Sequence, residues 1–95
     1  MAMVIGVLRV RLAIFEALSL KDKRRVTKSI KERLSVRHNV SVAEVDDLDR
    51  RQAATIAVAM VANETRFVQS ALSKILDEIR RDTRANLVAH DIEIL

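Results

Sequence analysis

The sequence predicts an α+β domain with the element order βαββαβ. Three observations carry that prediction: two long apolar alternations, two segments with helical periodicity, and one charge-dense helix between the first two strands. The 95 residues suffice for one hydrophobic core and not for two. Apolar residues at 49% and charged residues at 32% are values of a globular chain. With one Gly and no Pro, the connections must be short, and no flexible linker is visible.

Met3 to Phe15 reads as a long strand. Val4, Gly6, Leu8, Val10, Leu12 and Ile14 form one alternating set; Ile5, Val7, Arg9, Arg11, Ala13 and Phe15 form the other. Both arginines fall on the second face, so the first faces the core. Ser19 to Asn39 follows as a basic helix. Ser19 is its N-cap, with Asp22 three residues on, where a carboxylate meets the free N–H groups and the positive end of the dipole. Leu20, Val26, Ile30 and Leu34 fall on one stripe with Thr27 beside them. Lys23 and Arg37 lie near that stripe, where their stems are expected to cover neighbours while their charges reach water. Asn39 is expected to end the helix as a left-handed cap.

Val40 to Val45 is β-branched and reads as the second strand. The acidic turn Asp46-Asp47-Leu48-Asp49 follows, and Gln52 to Ala62 is the partner strand of the hairpin. Helix competes for this Ala-rich segment, but Ile56, Val58 and Met60 alternate with Thr55, Ala57 and Ala59. Asn63 is expected to cap a second helix from Glu64 to about Arg81, with Phe67, Val68, Ala71, Leu72, Ile75, Leu76 and Ile79 recurring every three or four residues. Leu87 to Leu95 closes the sheet.

This order is two split β-α-β units, the ferredoxin-like pattern. Right-handed crossovers place both helices on one side of an antiparallel sheet of order 4-1-3-2. The expected core is Leu8, Val10, Leu12, Ile14, Val26, Ile30, Leu34, Ile56, Val58, Met60, Leu72, Ile75, Ile79, Ile92 and Ile94.

Charge is unevenly placed. Residues 21 to 38 hold eight Lys or Arg against two acids, a net +6, whereas the whole chain is +4; everything else therefore sums to −2. Lys21, Arg24, Arg25, Lys28 and Lys31 collect on the arc opposite the apolar stripe, with Glu32 as the one acid among them. Such a face is either a solvated helix surface or a site for an anionic partner, RNA or the ribosome above all.

Several chemistries are disfavoured. Without Cys there are no disulfides, thiolate metal sites or cysteine nucleophiles. His38 and His90 have no ligand-spaced neighbours, so no metal is expected. His38 reads as a surface residue near a helix C-terminus and His90 as a partly buried strand residue. Base stacking on an open sheet needs aromatics, and the chain has two Phe, no Tyr and no Trp. The loop Phe15-Glu16-Ala17-Leu18-Ser19 has no glycine to cradle a phosphate. Ser19 is explained as a cap, and no His–acid pair is placed to activate it. Asp46, Asp47 and Asp49 read as a turn held by Asx hydrogen bonds, with weak cation binding as the lesser alternative. No enzyme activity and no cofactor are expected. The apolar run Met1 to Leu8 is broken by Arg9 and Arg11 and is expected to be neither signal peptide nor membrane span, so the expected location is the cytoplasm.

On the open face, Arg9 and Arg11 are expected to pair with Asp91 and Glu93 of the neighbouring strand. Ile5, Val7, Thr55, Ala57 and Ala59 form a small, uncharged patch there, a candidate interface for a homo-oligomer.

GVLRVRL at the start, SLKDKR at the first helix, NVSVAEVDDLD, RQAATIAVAMVAN and the closing DIEIL together resemble the YlxP-like family of small bacterial proteins, over nearly the whole chain. The resemblance implies a ferredoxin-like fold and a link to translation. Family members often carry an aromatic after the acidic turn, where this chain has Asp49-Arg50-Arg51-Gln52.

Overall fold

The computed structural model describes residues 2–95; Met1, the first residue of the N-terminal apolar run, lies outside them. The elements run β1 (Val4–Ala13), α1 (Leu20–Arg37), β2 (Ser41–Asp46), β3 (Ala53–Ala62), α2 (Thr65–Arg80) and β4 (Asn86–Ile94). All pairings are antiparallel in the order β2-β3-β1-β4, which is the expected 4-1-3-2 order read from the other edge.

The alternation in β1 decides its central place. Leu8, Val10 and Leu12 are buried and lie opposite Val58, Ile56 and Ala54 of β3, also buried. Both helices cover this face: Ile30 and Leu34 of α1 and Val68, Leu72, Ile75 and Ile79 of α2 join the same core. Strand wins over helix in the Ala-rich segment because Ile56, Val58 and Met60 all point into that core. Gly6 belongs to this face too. A Cβ there would overlap Val68 Cγ1 and lie 2.9 Å from Leu72 Cδ1, so the missing side chain is what lets α2 close onto β1.

Two irregularities shape the surface. The β1–β4 register shifts between Arg11 and Leu12, so that Ala89 faces Arg11 and Leu87 faces Leu12, leaving Val88 as the extra residue, 60% exposed. The β2–β3 register shifts between Glu44 and Asp46, which leaves Val45 unpaired and exposed.

Several local expectations need correcting. Asn39 is not a left-handed cap: α1 stops at Arg37, its C-cap His38 is extended, and among the described residues only Asp47 (φ 60°) has a positive φ. Asn63 does not cap α2; the N-cap is Glu64, without a side-chain cap bond. Phe67 is 57% exposed, because the buried stripe of α2 runs through Val68, Leu72, Ile75, Leu76 and Ile79 one position away. Val26, Ile92 and Ile94 border the core rather than fill it, and Ala17, Ala54 and Ala85 are buried in addition. His90 is exposed at an edge strand, and His38 is half-buried against Glu78 (2.9 Å).

Candidate anion-binding face and the buried lysine behind it

Helix α1 begins where its cap chemistry places it. Ser19 Oγ accepts the Asp22 N–H (3.1 Å), and Asp22 Oδ2 in turn accepts the Leu18 N–H (3.0 Å), a reciprocal box that fixes the first turn. From there the buried positions are Lys23, Thr27, Ile30 and Leu34. Their spacing of four, three and four residues is an ideal core stripe, and its first member is a lysine.

Lys23 therefore does not reach water as expected; it is fully buried. The three N–H groups of its Nζ are shared among four acceptors, Glu44 Oε2 (2.9 Å) on β2 and the carbonyls of Asp47 (2.8 Å), Leu48 (3.2 Å) and Ala53 (3.2 Å). One ammonium thus ties the first turn of α1 to the loop joining β2 and β3. A buried cation is tolerable only when so matched. The loop is held from its other side by Asp47. Its Oδ2 accepts the Thr55 hydroxyl (2.7 Å) and pairs with Arg11 Nε (3.3 Å), and Arg50 approaches Oδ1 (3.9 Å). The Thr55 hydrogen bond, with Arg11 and Arg50 nearby, lowers the Asp47 pKa. The acidic turn also contains the expected local bond, from Asp47 N–H to Asp46 Oδ1 (2.8 Å).

Arg11 is accordingly not a partner of Asp91 or Glu93. Those two both go to Arg9, at 2.8 and 3.0 Å, which raises the pKa of its guanidinium. Arg11 stands opposite Ala89, while the same regular register sets Asp91 opposite Arg9, which takes it.

The cations of the chain now divide. Arg33 and Arg84 converge on Asp82 (3.5 and 2.7 Å), whose buried carboxylate is held down to about 2, chiefly by its hydrogen bonds to Arg84. Arg37 and His38 meet Glu78, and Arg80 meets Asp77. On the outer arc of α1 the situation is different. Lys21, Arg24, Arg25 and Lys28 are exposed and Lys31 is half-exposed. Among the described residues the sole ion pair on this arc is Lys28–Glu32 at 3.9 Å, with both side chains largely in water. Arg24, Lys28 and Lys31 line a groove of about 370 Å³ that also touches Thr27, Glu32 and Glu44 of β2. Glu44 is already engaged by Lys23, so the groove between α1 and β2 keeps its positive character.

The five cations singled out in the sequence are thus brought onto one surface. The small-residue patch is also assembled: Val7 lies opposite Ala59, Ile5 opposite Val61 and Thr55 opposite Arg11, with Ala43 beside Ala57. It is larger than anticipated, because Val61 (57% exposed) and Leu95 (70% exposed) extend it. What sequence reasoning missed is Lys23. Its signal was the 23/27/30/34 spacing, which passes through Lys23 and leaves Val26 at the margin.

No helix among the described residues is long and apolar enough to cross a membrane. No curated protein matches the chain. Among solved structures, the chain is similar to "De novo designed protein Foldit4", with a TM-score of 0.55 and 19% identity over 98% of this chain and 96% of that one, a likeness of fold alone. The model of one family, described as "Protein of unknown function (DUF503)", matches residues 5–92, and the chain belongs to that family.

Proposed function

We propose that the protein is a non-enzymatic accessory factor that binds RNA, free or on the ribosome, through phosphate contacts along α1. The observation that carries this reading is the set of cations on the outer arc. Lys21, Arg24, Arg25 and Lys31 have no carboxylate partner among the described residues, although elsewhere most arginines are paired. Exposed cations left without carboxylate partners along one helix arc suit a polyanion that tracks past them, and such contacts position a strand without reading its bases. The resemblance to the YlxP-like family, with its implied link to translation, supports the same reading. Catalysis is no part of it: Ser19 Oγ is occupied as a cap and His38 by Glu78.

The test is fluorescence anisotropy with a labelled single-stranded RNA and with purified ribosomes. Arg25→Glu with Lys28→Glu reverses two exposed charges that lie outside the buried stripe of α1. Binding is expected to be lost while circular dichroism and melting stay unchanged. Folded wild-type protein that binds neither RNA nor ribosomes at low salt refutes the reading.

A second reading has its own observation. The apolar sheet face around Val7, Ala57 and Ala59, widened by Val61 and Leu95, suits pairing with a second copy of the chain. Ala57→Glu at its centre should then convert a dimer into folded monomers in light scattering. A wild-type protein that stays monomeric at high concentration removes this reading.

A further inference from the structure

Beyond Thr55, the loop after β1 and the turn before β3 line an open pocket of about 460 Å³. That is within the range of small-ligand sites. Its wall contains three guanidinium groups, Arg11, Arg50 and Arg51, and no acid, together with Gln52, Phe15 and Val88. Two features there lack an explanation in folding. Phe15 and Val88 are 67% and 60% exposed, and Val88 is displaced outward by the β1–β4 register shift. Phe15 is also one of only two aromatic residues in the chain.

The pocket is held in shape. Gln52 Nε2 donates to the carbonyls of Phe15 (3.0 Å) and Ala17 (3.3 Å), and the Ile14 N–H donates to Gln52 O (2.9 Å). The loop carrying the aromatic and the turn carrying the arginines are therefore one unit. The charges are only partly spent. Asp47 takes Arg11 and, at 3.9 Å, Arg50. Arg51 has no carboxylate partner among the described residues, and its one hydrogen bond is a long one, 3.4 Å to Leu18 O. Asp46, Asp49 and Glu16 neighbour these segments in sequence, yet none forms an ion pair with Arg51.

We propose that this pocket binds a nucleotide-type ligand, an aromatic ring bearing a phosphate monoester. The phosphate meets Arg50 and Arg51, whose planar forks match its oxygens, and the ring lies against Phe15 and Val88. Two sources supply that chemistry, a free nucleoside monophosphate and the 5′-phosphorylated end of an RNA strand. The proposal uses none of the α1 cations, so it stands or falls separately from the reading above.

The experiment is an ¹⁵N-¹H NMR titration of the full chain with adenosine monophosphate, run beside adenosine and inorganic phosphate. The monophosphate is expected to shift amides around Phe15, Arg51 and Val88 with a Kd on the order of 0.1 mM, and each fragment alone to bind about tenfold more weakly or worse. Arg51→Ala and Phe15→Ala, both at exposed positions, should each weaken binding about tenfold, while Lys74→Ala on α2 should leave it unchanged. A 5′-phosphorylated tetranucleotide tested against its 5′-hydroxyl form separates the sources. A preference for the phosphorylated end over the free monophosphate assigns the pocket to RNA ends; the reverse assigns it to free nucleotides. The proposal is overturned if about 10 mM monophosphate leaves these amides unmoved. It is also overturned if the shifts map to α1, or if Arg51→Ala and Phe15→Ala bind as the wild type does.

Discussion

Replacing Lys23 by Met keeps the stem in the core stripe of α1 and removes only the ammonium. Four acceptors then lose their donor: Glu44 Oε2 and the carbonyls of Asp47, Leu48 and Ala53. Breaking a buried pair from one side removes about 3 to 5 kcal/mol. The lower end applies here. Leu48 is 53% exposed, so carbonyls of this turn can regain water, whereas the Glu44 side chain is only 13% exposed and stays poorly hydrated. A loss of about 3 kcal/mol is a large fraction of the 5 to 15 kcal/mol typical of a whole domain. With a urea m-value of about 1 to 1.5 kcal/mol/M at this size, the midpoint should fall by about 2 to 3 M. The assay is urea unfolding followed by circular dichroism, extended to a double-mutant cycle with Glu44→Gln. Lys23→Met combined with Glu44→Leu should recover part of the loss, since the stranded carboxylate is gone. A loss under about 1 kcal/mol, the level of an exposed ion pair, would refute the clamp as a structural tie.

Two further outcomes follow from the helix ends. Ser19→Ala should lose about 1 kcal/mol, because the Asp22 N–H then has no acceptor, and melting should drop by about 4 to 8 °C; an unchanged curve would mean the cap contributes nothing. Asp82 has a folded pKa lowered from 3.8 to about 2, so its contribution is fully present above about pH 4 and is lost as pH falls through 2. Urea midpoints of the wild type should therefore decline across that window more steeply than those of Asp82→Asn, and parallel declines would contradict the assignment.

Much of this architecture was legible because each element carries its own period. The alternation in β1 and β3 and the three- and four-residue recurrence in α2 each match the face that ends up buried, and the strand order follows from right-handed crossovers. The misses have a common cause. They are residues whose partners come from a distant segment, even where, as at Lys23, a local spacing points inward. Lys23 is buried because Glu44 and three carbonyls meet it from 21 to 30 residues away. Arg11 turns to Asp47 in the distant β2–β3 loop, while the register sets Asp91 opposite Arg9 and both β4 acids go to Arg9. Asn39 and Asn63 had suitable cap chemistry, yet α1 is closed by an extended His38 and α2 starts after Glu64. The basic arc was the most readable part of the candidate surface, because exposure on the far side of an amphipathic helix needs no partner to define it. The pocket beside Arg51 was the least readable, since the β1 loop, the β3 turn and the bulge in β4 are far apart in sequence.

The central claim, that α1 holds RNA phosphates, is tested most directly by the salt dependence of binding to a short single-stranded RNA. Each paired cation contributes about 0.7 to the log–log slope, so the five on the outer arc predict about 3 to 4 for the wild type. Arg25→Gln with Lys28→Gln removes two of those charges and should lower the slope to about 2, with weaker binding at every salt concentration and little dependence on RNA sequence. A wild-type slope under about 1, or one that the double substitution leaves unchanged, would contradict the claim and reduce the arc to a solvated helix surface.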